Sequence, residues 1–185
     1  ILSGLVGSEM CIRDSNKTMN VLIIVDPQKD FISGSLAVPE ADKAMSYLSQ
    51  WMLTHANDFD TVFVSMDQHP INHCSFKSEG GIWPHHCVRY SEGAAIDEGI
   101  MSSLITLQKQ GKNIHFIEKA TEVNQEEYSA FARLIPTELV SADKIFLAGL
   151  AGDYCVHASQ EDLLRCIPKE RIERIEEGIA WIQKP

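Results

Sequence analysis

Val21-Leu22-Ile23-Ile24-Val25 is an unbroken apolar run, mostly β-branched. It has no polar face to turn to water, so it suits a central strand of a parallel sheet covered on both sides. Three more strand-length runs follow: Thr61-Val62-Phe63-Val64-Ser65-Met66, Ile114-His115-Phe116-Ile117 and Ile145-Phe146-Leu147-Ala148. Between them the apolar spacing becomes helical. Ala44, Met45, Leu48, Trp51 and Met52 form one stripe of a helix over about 40–56. Ile96, Ile100, Leu104 and Leu107 mark a second, ending at Gly111. Tyr128, Phe131 and Leu134 predict a short helix before Pro136. Val156, Leu163, Leu164 and Ile167 predict another after the fourth strand, with Asp153 as its N-cap. The tail from 171 to 182 fits a helix or an edge strand over 172–176; the strand would complete the sheet and is the reading adopted. Strands alternating with helices predict right-handed βαβ units and a three-layer α/β/α fold around a mostly parallel, Rossmann-like sheet.

Ligands of such sheets bind beyond the carboxyl ends of the strands. Those ends carry Asp26 after the first strand, Asp67 and His69 after the second, Lys119 after the third and Cys155 after the fourth. Loops are polar in any case, but five reactive side chains from four strands at one edge predict a site. Gly149 and Gly152 let the chain turn sharply before Cys155, which opens a helix. The free N–H groups and dipole there favour a thiolate and offer donors to an oxyanion. A carboxylate and a lysine nearby would complete an activated nucleophile. The plainer reading of Cys155 is a small buried residue packing the strand–helix junction.

Asp67 and His69 stand two apart in extended chain, so both face one side. The long segment from about 68 to 95 adds His73, His85 and His86. Adjacent residues in extended chain point apart, so one of His85 and His86 with Asp67 and His69 makes two imidazoles and a carboxylate. That set suits a catalytic divalent zinc or iron; a surface loop with scattered histidines is the plainer reading.

Charge and cysteine content narrow the setting. A net charge of −10 argues against nucleic acid and anionic membranes as partners. No apolar run reaches membrane-spanning length. The five cysteines are odd in number and lack a CxxC pair, which predicts a reducing, cytoplasmic setting. Residues 1–18, with Cys11, join no periodic pattern and read as a disordered or non-native leader resembling translated adapter sequence, with Met19 as the start. Residues 19–185 read as one domain.

Several segments together resemble the nicotinamidase branch of the isochorismatase-like cysteine hydrolases. They are Val25-Asp26-Pro27-Gln28-Lys29-Asp30-Phe31; Asp67-Gln68-His69-Pro70-Ile71-Asn72-His73-Cys74-Ser75-Phe76; Gly80-Gly81-Ile82-Trp83-Pro84-His85-His86-Cys87-Val88; Glu118-Lys119-Ala120; and the turn from Gly149 to Val156. They occur in family order between about Asn20 and Leu164. The resemblance implies a catalytic triad of Cys155, Asp26 and Lys119, and an oxyanion hole from the N–H groups of Ala151 and Cys155. It implies a cis peptide at Leu150–Ala151, and Phe31 and Trp83 flanking the substrate ring. It implies one divalent metal, zinc or else iron or manganese, on Asp67, His69 and His86, with His73 nearby but not a ligand. The implied activity is hydrolysis of nicotinamide, in salvage of pyridine nucleotides, by an enzyme that could form homo-oligomers. The sequence departs from the family pattern at Gly152, where threonine is frequent, and after Cys166, where the family continues beyond its last strand with another helix. A C-terminal truncation is therefore open. So are two other functions: an amidase or carbamoyl hydrolase for another small amide, and a metal-binding protein without catalysis.

Overall fold

Five strands form one wholly parallel sheet in the computed structural model, which describes residues 18–183: β1 (Asn20–Val25), β2 (Thr61–Asp67), β3 (Asn113–Lys119), β4 (Lys144–Gly149) and β5 (Ile172–Ile179). The expected leader, Cys11 included, lies outside the described residues apart from Thr18. Helices α1 (Lys29–Ile32), α2 (Ala41–Thr54), α3 (Glu98–Lys109), α4 (Thr137–Val140) and α5 (Cys155–Leu164) fill the connections. The strand order is β3-β2-β1-β4-β5. The chain moves outward one way through β2 and β3, then returns past β1 to β4 and β5. Right-handed crossovers therefore put α2 and α3 on one face and α5 on the other. The core follows from the sequence runs: Val21 to Val25 are fully buried, as are Val62, Val64, Ile145, Leu147 and Ala148. Among the described residues no helix is long and apolar enough to cross a membrane.

The register assembles the site edge. In β2 and β3, Asp67 pairs with Lys119, so their side chains leave the same face side by side. Val25 pairs with Ser65 on one side and with Gly149 on the other, which brings Asp26 and the turn after β4 to the same place. Gly149 has φ +127°, and a Cβ there would lie 2.1 Å from the Val25 carbonyl oxygen. Gly149→Ala is therefore expected to destabilise the fold by about 3 kcal/mol or more, from backbone strain and overpacking together. Thermal denaturation would measure it, and an unchanged melting temperature would contradict this account of the turn.

Two local expectations are corrected. Residues 128–134 form no helix; the single-turn helix α4 comes after Pro136. Phe131 is buried as the apolar pattern required, but the backbone around it serves tertiary partners. Glu127 O accepts from Lys119, Phe131 O and Ala132 O accept from Arg165, and Phe131 N donates to Ser129. Asp153 is not the N-cap of α5. Tyr154 holds that place without a side-chain cap, and the Asp153 carboxylate instead accepts from the amides of Ile182 and Gln183. The segment after Pro27 contains the single turn α1, which buries Phe31. The tail is the edge strand expected, longer than 172–176 and parallel to β4.

Candidate active site

Lys119 is the hub on which the strand ends converge. It is 2% exposed, and its Nζ lies 2.9 Å from Asp26 Oδ2. It donates to Asp67 Oδ1 at 2.5 Å, to Cys155 Sγ at 3.6 Å and to Glu127 O at 3.2 Å. Asp26 is fully buried and sits at φ +46°, a left-handed conformation that is strained for a non-glycine residue. Its Oδ1 accepts from Ser65 Oγ at 2.8 Å. Its Oδ2 is the oxygen that faces the Lys119 ammonium. Cys155, 6% exposed, opens α5 as the sequence predicts, and the Leu150–Ala151 peptide before it is cis.

The electrostatics differ from the sequence expectation of a stabilised thiolate. Burial pushes the Cys155 thiol well above its ordinary range; the Lys119 charge opposes this, and the Asp26 and Asp67 carboxylates add to it. Burial also raises Asp26, with Lys119 opposing and Asp67 assisting. Burial alone would raise Asp67 too, but Lys119 and His69 outweigh it and hold that carboxyl well below the usual range. Lys119 is desolvated by burial, yet Asp26 and Asp67 keep its ammonium protonated far above the ordinary lysine range. Two carboxylates thus face one cation, and the resting sulfur keeps its proton.

Beside this cluster, His69 Nε2 lies 3.2 Å from His86 Nε2 and 3.4 Å from Asp67 Oδ2. His69 Nδ1 faces Ala120 O at 3.3 Å, and His86 Nδ1 faces Pro84 O at 2.8 Å. Those carbonyls can only accept, so each Nδ1 carries the proton and each Nε2 presents a lone pair. Burial also lowers the His86 pKa, favouring the neutral ring. Three buried acceptor atoms then converge with no donor between them. Separations of about 3.3 Å are what bonds of about 2.0–2.1 Å give in a tetrahedral site, so the residues fit a divalent metal. Asp67, His69 and His86 are a metal-capable group in this structure. His73 packs against His69 at a tilt, but both its nitrogens are engaged, by Ser75 and Gln125 O. His85 is exposed and packs on Phe76.

Backbone supports hold this loop in place. Gln28 clamps Asp67 at both ends of its peptide, accepting from Asp67 N and donating to Asp67 O, each at 2.8 Å. Asp30 accepts from Cys87 N at 2.7 Å, and His69 N donates to Cys87 O. Above the cluster opens a pocket. Phe31 and Trp83, both expected, line it with His86, Ala151 and Cys155. Leu36, Tyr128, Tyr154 and Ile182 line it as well and were not foreseen. Tyr128 Oη accepts from Trp83 Nε1 at 3.2 Å, and Tyr154 meets Trp83 edge-on. The polar Ser65 within the apolar run of β2, and Gln28 within the first motif, were usable signals for the supports. Nothing local marks Ile182.

No protein-family model matches the chain. Curated relatives do. The chain is 30% identical over 176 residues to the nicotinamidase of Saccharomyces cerevisiae, covering 76% of this chain and 79% of that protein. It is 31% identical over 169 residues to the nicotinamidase of Escherichia coli, covering 78% of this chain and 76% of the relative. Among solved structures, PnC1 of L. infantum in complex with nicotinate aligns with a TM-score of 0.72 at 30% identity, over 90% of this chain and 83% of that one. The pyrazinamidase of Pyrococcus horikoshii in complex with zinc aligns with a TM-score of 0.69 at 29% identity, over 89% and 87%. A parallel sheet with these strand-end side chains defines the class, the isochorismatase-like hydrolases. Within that class the relatives are specific, and the chain belongs to the nicotinamidase family.

Proposed function

We propose that this enzyme hydrolyses nicotinamide to nicotinate and ammonia, with Cys155 as nucleophile, Asp26 as proton carrier and Lys119 as the cation holding both. The observation that carries the reading is the juxtaposition of two clusters in one pocket. Lys119 joins Asp26 to Cys155, and Asp67 joins Lys119 to His69.

As Sγ of Cys155 attacks the carboxamide carbon, the thiol proton passes to Asp26 Oδ2, whose raised proton affinity suits it to that role. The N–H groups of Ala151 and Cys155 stabilise the oxyanion, and one such donor is typically worth about 3 kcal/mol. Asp26 returns the proton to the departing amine, the C–N bond breaks and ammonia leaves a thioester. Asp26 then takes a proton from water, the hydroxide attacks the thioester carbon, and nicotinate leaves as sulfur regains its proton. Phe31 and Trp83 hold the ring between them. Zinc, or another divalent metal held by Asp67, His69 and His86, would offer an open position to the pyridine nitrogen and orient the ring.

Ammonia release from nicotinamide, with and without a chelator and beside ureido compounds, tests the reading. Turnover of nicotinamide is expected, lost on chelation and restored by zinc, with no turnover of the ureido compounds. Ammonia from the ureido compounds alone would overturn it in favour of a carbamoyl hydrolase.

A further inference from the structure

The end of the described chain lies against the nucleophile turn. β5 follows β4 with a register shift: Leu147 pairs with Arg174, but Gly149 pairs with Ile179. The shift carries residues 180–183 past the sheet edge to the site. Four contacts fasten them there. Gly152 N donates to Ala180 O at 2.8 Å. Ile182 N donates to Asp153 Oδ1 at 3.0 Å, and Gln183 N to Asp153 Oδ2 at 2.8 Å. The Trp181 indole covers Gly152 so closely that a Cβ at 152 would lie 2.4 Å from the ring. The Arg174 guanidinium lies over that indole, 5.0 Å from the ring centre. The glycine at 152 and the aspartate at 153 are thus the two features of the turn that let the tail seat. The seated tail delivers Ile182 into the pocket wall, in company with Tyr154 and Cys155.

The geometry points to Ile182 as a specificity-determining residue, one that narrows the pocket to a small planar heteroaromatic amide and excludes ring-substituted ones, with Asp153 as the residue that positions it. The substrate class rests on the proposed amide hydrolysis; the narrowing of the pocket does not. Removing branched aliphatic bulk from a pocket wall typically shifts discrimination between substrates differing by a methyl group by roughly 10-fold or more. Ile182→Ala should therefore raise kcat/KM for a ring-methylated nicotinamide relative to nicotinamide by about that factor, and Ile182→Phe should lower it. Asp153→Ala should shift selectivity in the same direction as Ile182→Ala, and the double variant should show no further shift, because both act through one wall.

A second readout needs no turnover. It is the rate at which Cys155 is alkylated by a bulky N-benzyl haloacetamide relative to iodoacetamide, followed on the Cys155 peptide by mass spectrometry. That ratio should rise in Ile182→Ala and fall in Ile182→Phe. Opposite movements in the two variants are not expected from mere loosening of the fold. Selectivity and alkylation ratios that match wild type in both variants would overturn the assignment. A shifted alkylation ratio in a protein that releases no ammonia from nicotinamide would support the wall while refuting the amide hydrolysis.

Discussion

Replacing Cys155 with alanine is expected to lower ammonia release from nicotinamide by at least about 10⁴-fold, the scale seen when a covalent nucleophile is removed. Nicotinamide binding, measured by calorimetry, should change only a few-fold. The pocket that would hold the ring is made by Phe31, Trp83 and the aromatic pair Tyr128 and Tyr154, with His86 at its edge, and none of these depends on sulfur. The variant should also fold, since Cys155 is a small side chain and its loss leaves Lys119 with Asp26 and Asp67 as partners. Turnover above a few per cent of wild type in a preparation free of native enzyme would sink the nucleophile assignment.

Asp67→Ala and His86→Ala should part company. Reading Asp67 as a metal ligand on a separate strand end predicts that both variants lose metal and leave the Cys155 cluster alone. The structure changes that expectation, because Asp67 reaches His69 through Oδ2 and Lys119 through Oδ1. His86→Ala should lose metal and lower kcat/KM by about 100-fold or more through lost orientation, with Cys155 alkylated by iodoacetamide at the wild-type rate. Asp67→Ala should lose metal and, in addition, remove one partner of a buried ammonium. Breaking such a pair costs about 3 kcal/mol even at the low end. The alkylation rate of Cys155 at neutral pH should rise in Asp67→Ala. The Asp67 carboxylate raises the thiol's proton affinity, so its removal favours the thiolate. Elemental analysis, melting temperature and the alkylation rate together decide the matter. Equal melting temperatures and equal alkylation rates in the two variants would show that the Asp67–Lys119 contact carries no energy.

The parallel sheet was readable from residues 21–25, 61–66 and 145–148, because burial on both faces leaves its mark on every position of a strand. The strand-end set Asp26, Asp67, Lys119 and Cys155 was readable for a related reason: in this topology the site edge is where strands stop, and a stop is a local event. The tail at 172–176 was less plain, since Ile172, Ile175 and Ile179 serve a helical period as well as a strand; pairing with β4 settles it. The helix expected at 128–134 failed because Lys119 and Arg165 claim the backbone carbonyls there, and the apolar spacing recorded only the burial of Phe131.

Periodicity and turn chemistry act over a few neighbouring residues, and they were enough for the layers, the site edge and the residue types gathered there. Register, burial and charge balance arise between residues far apart in the sequence, and no local pattern carries them. They join Asp67 to Lys119, raise the proton affinity of the Cys155 thiol, and bring Ile182 to the pocket. A contact across strands depends on which residues pair, and a proton's position depends on every charge within a few ångströms; both exist only once the chain has folded.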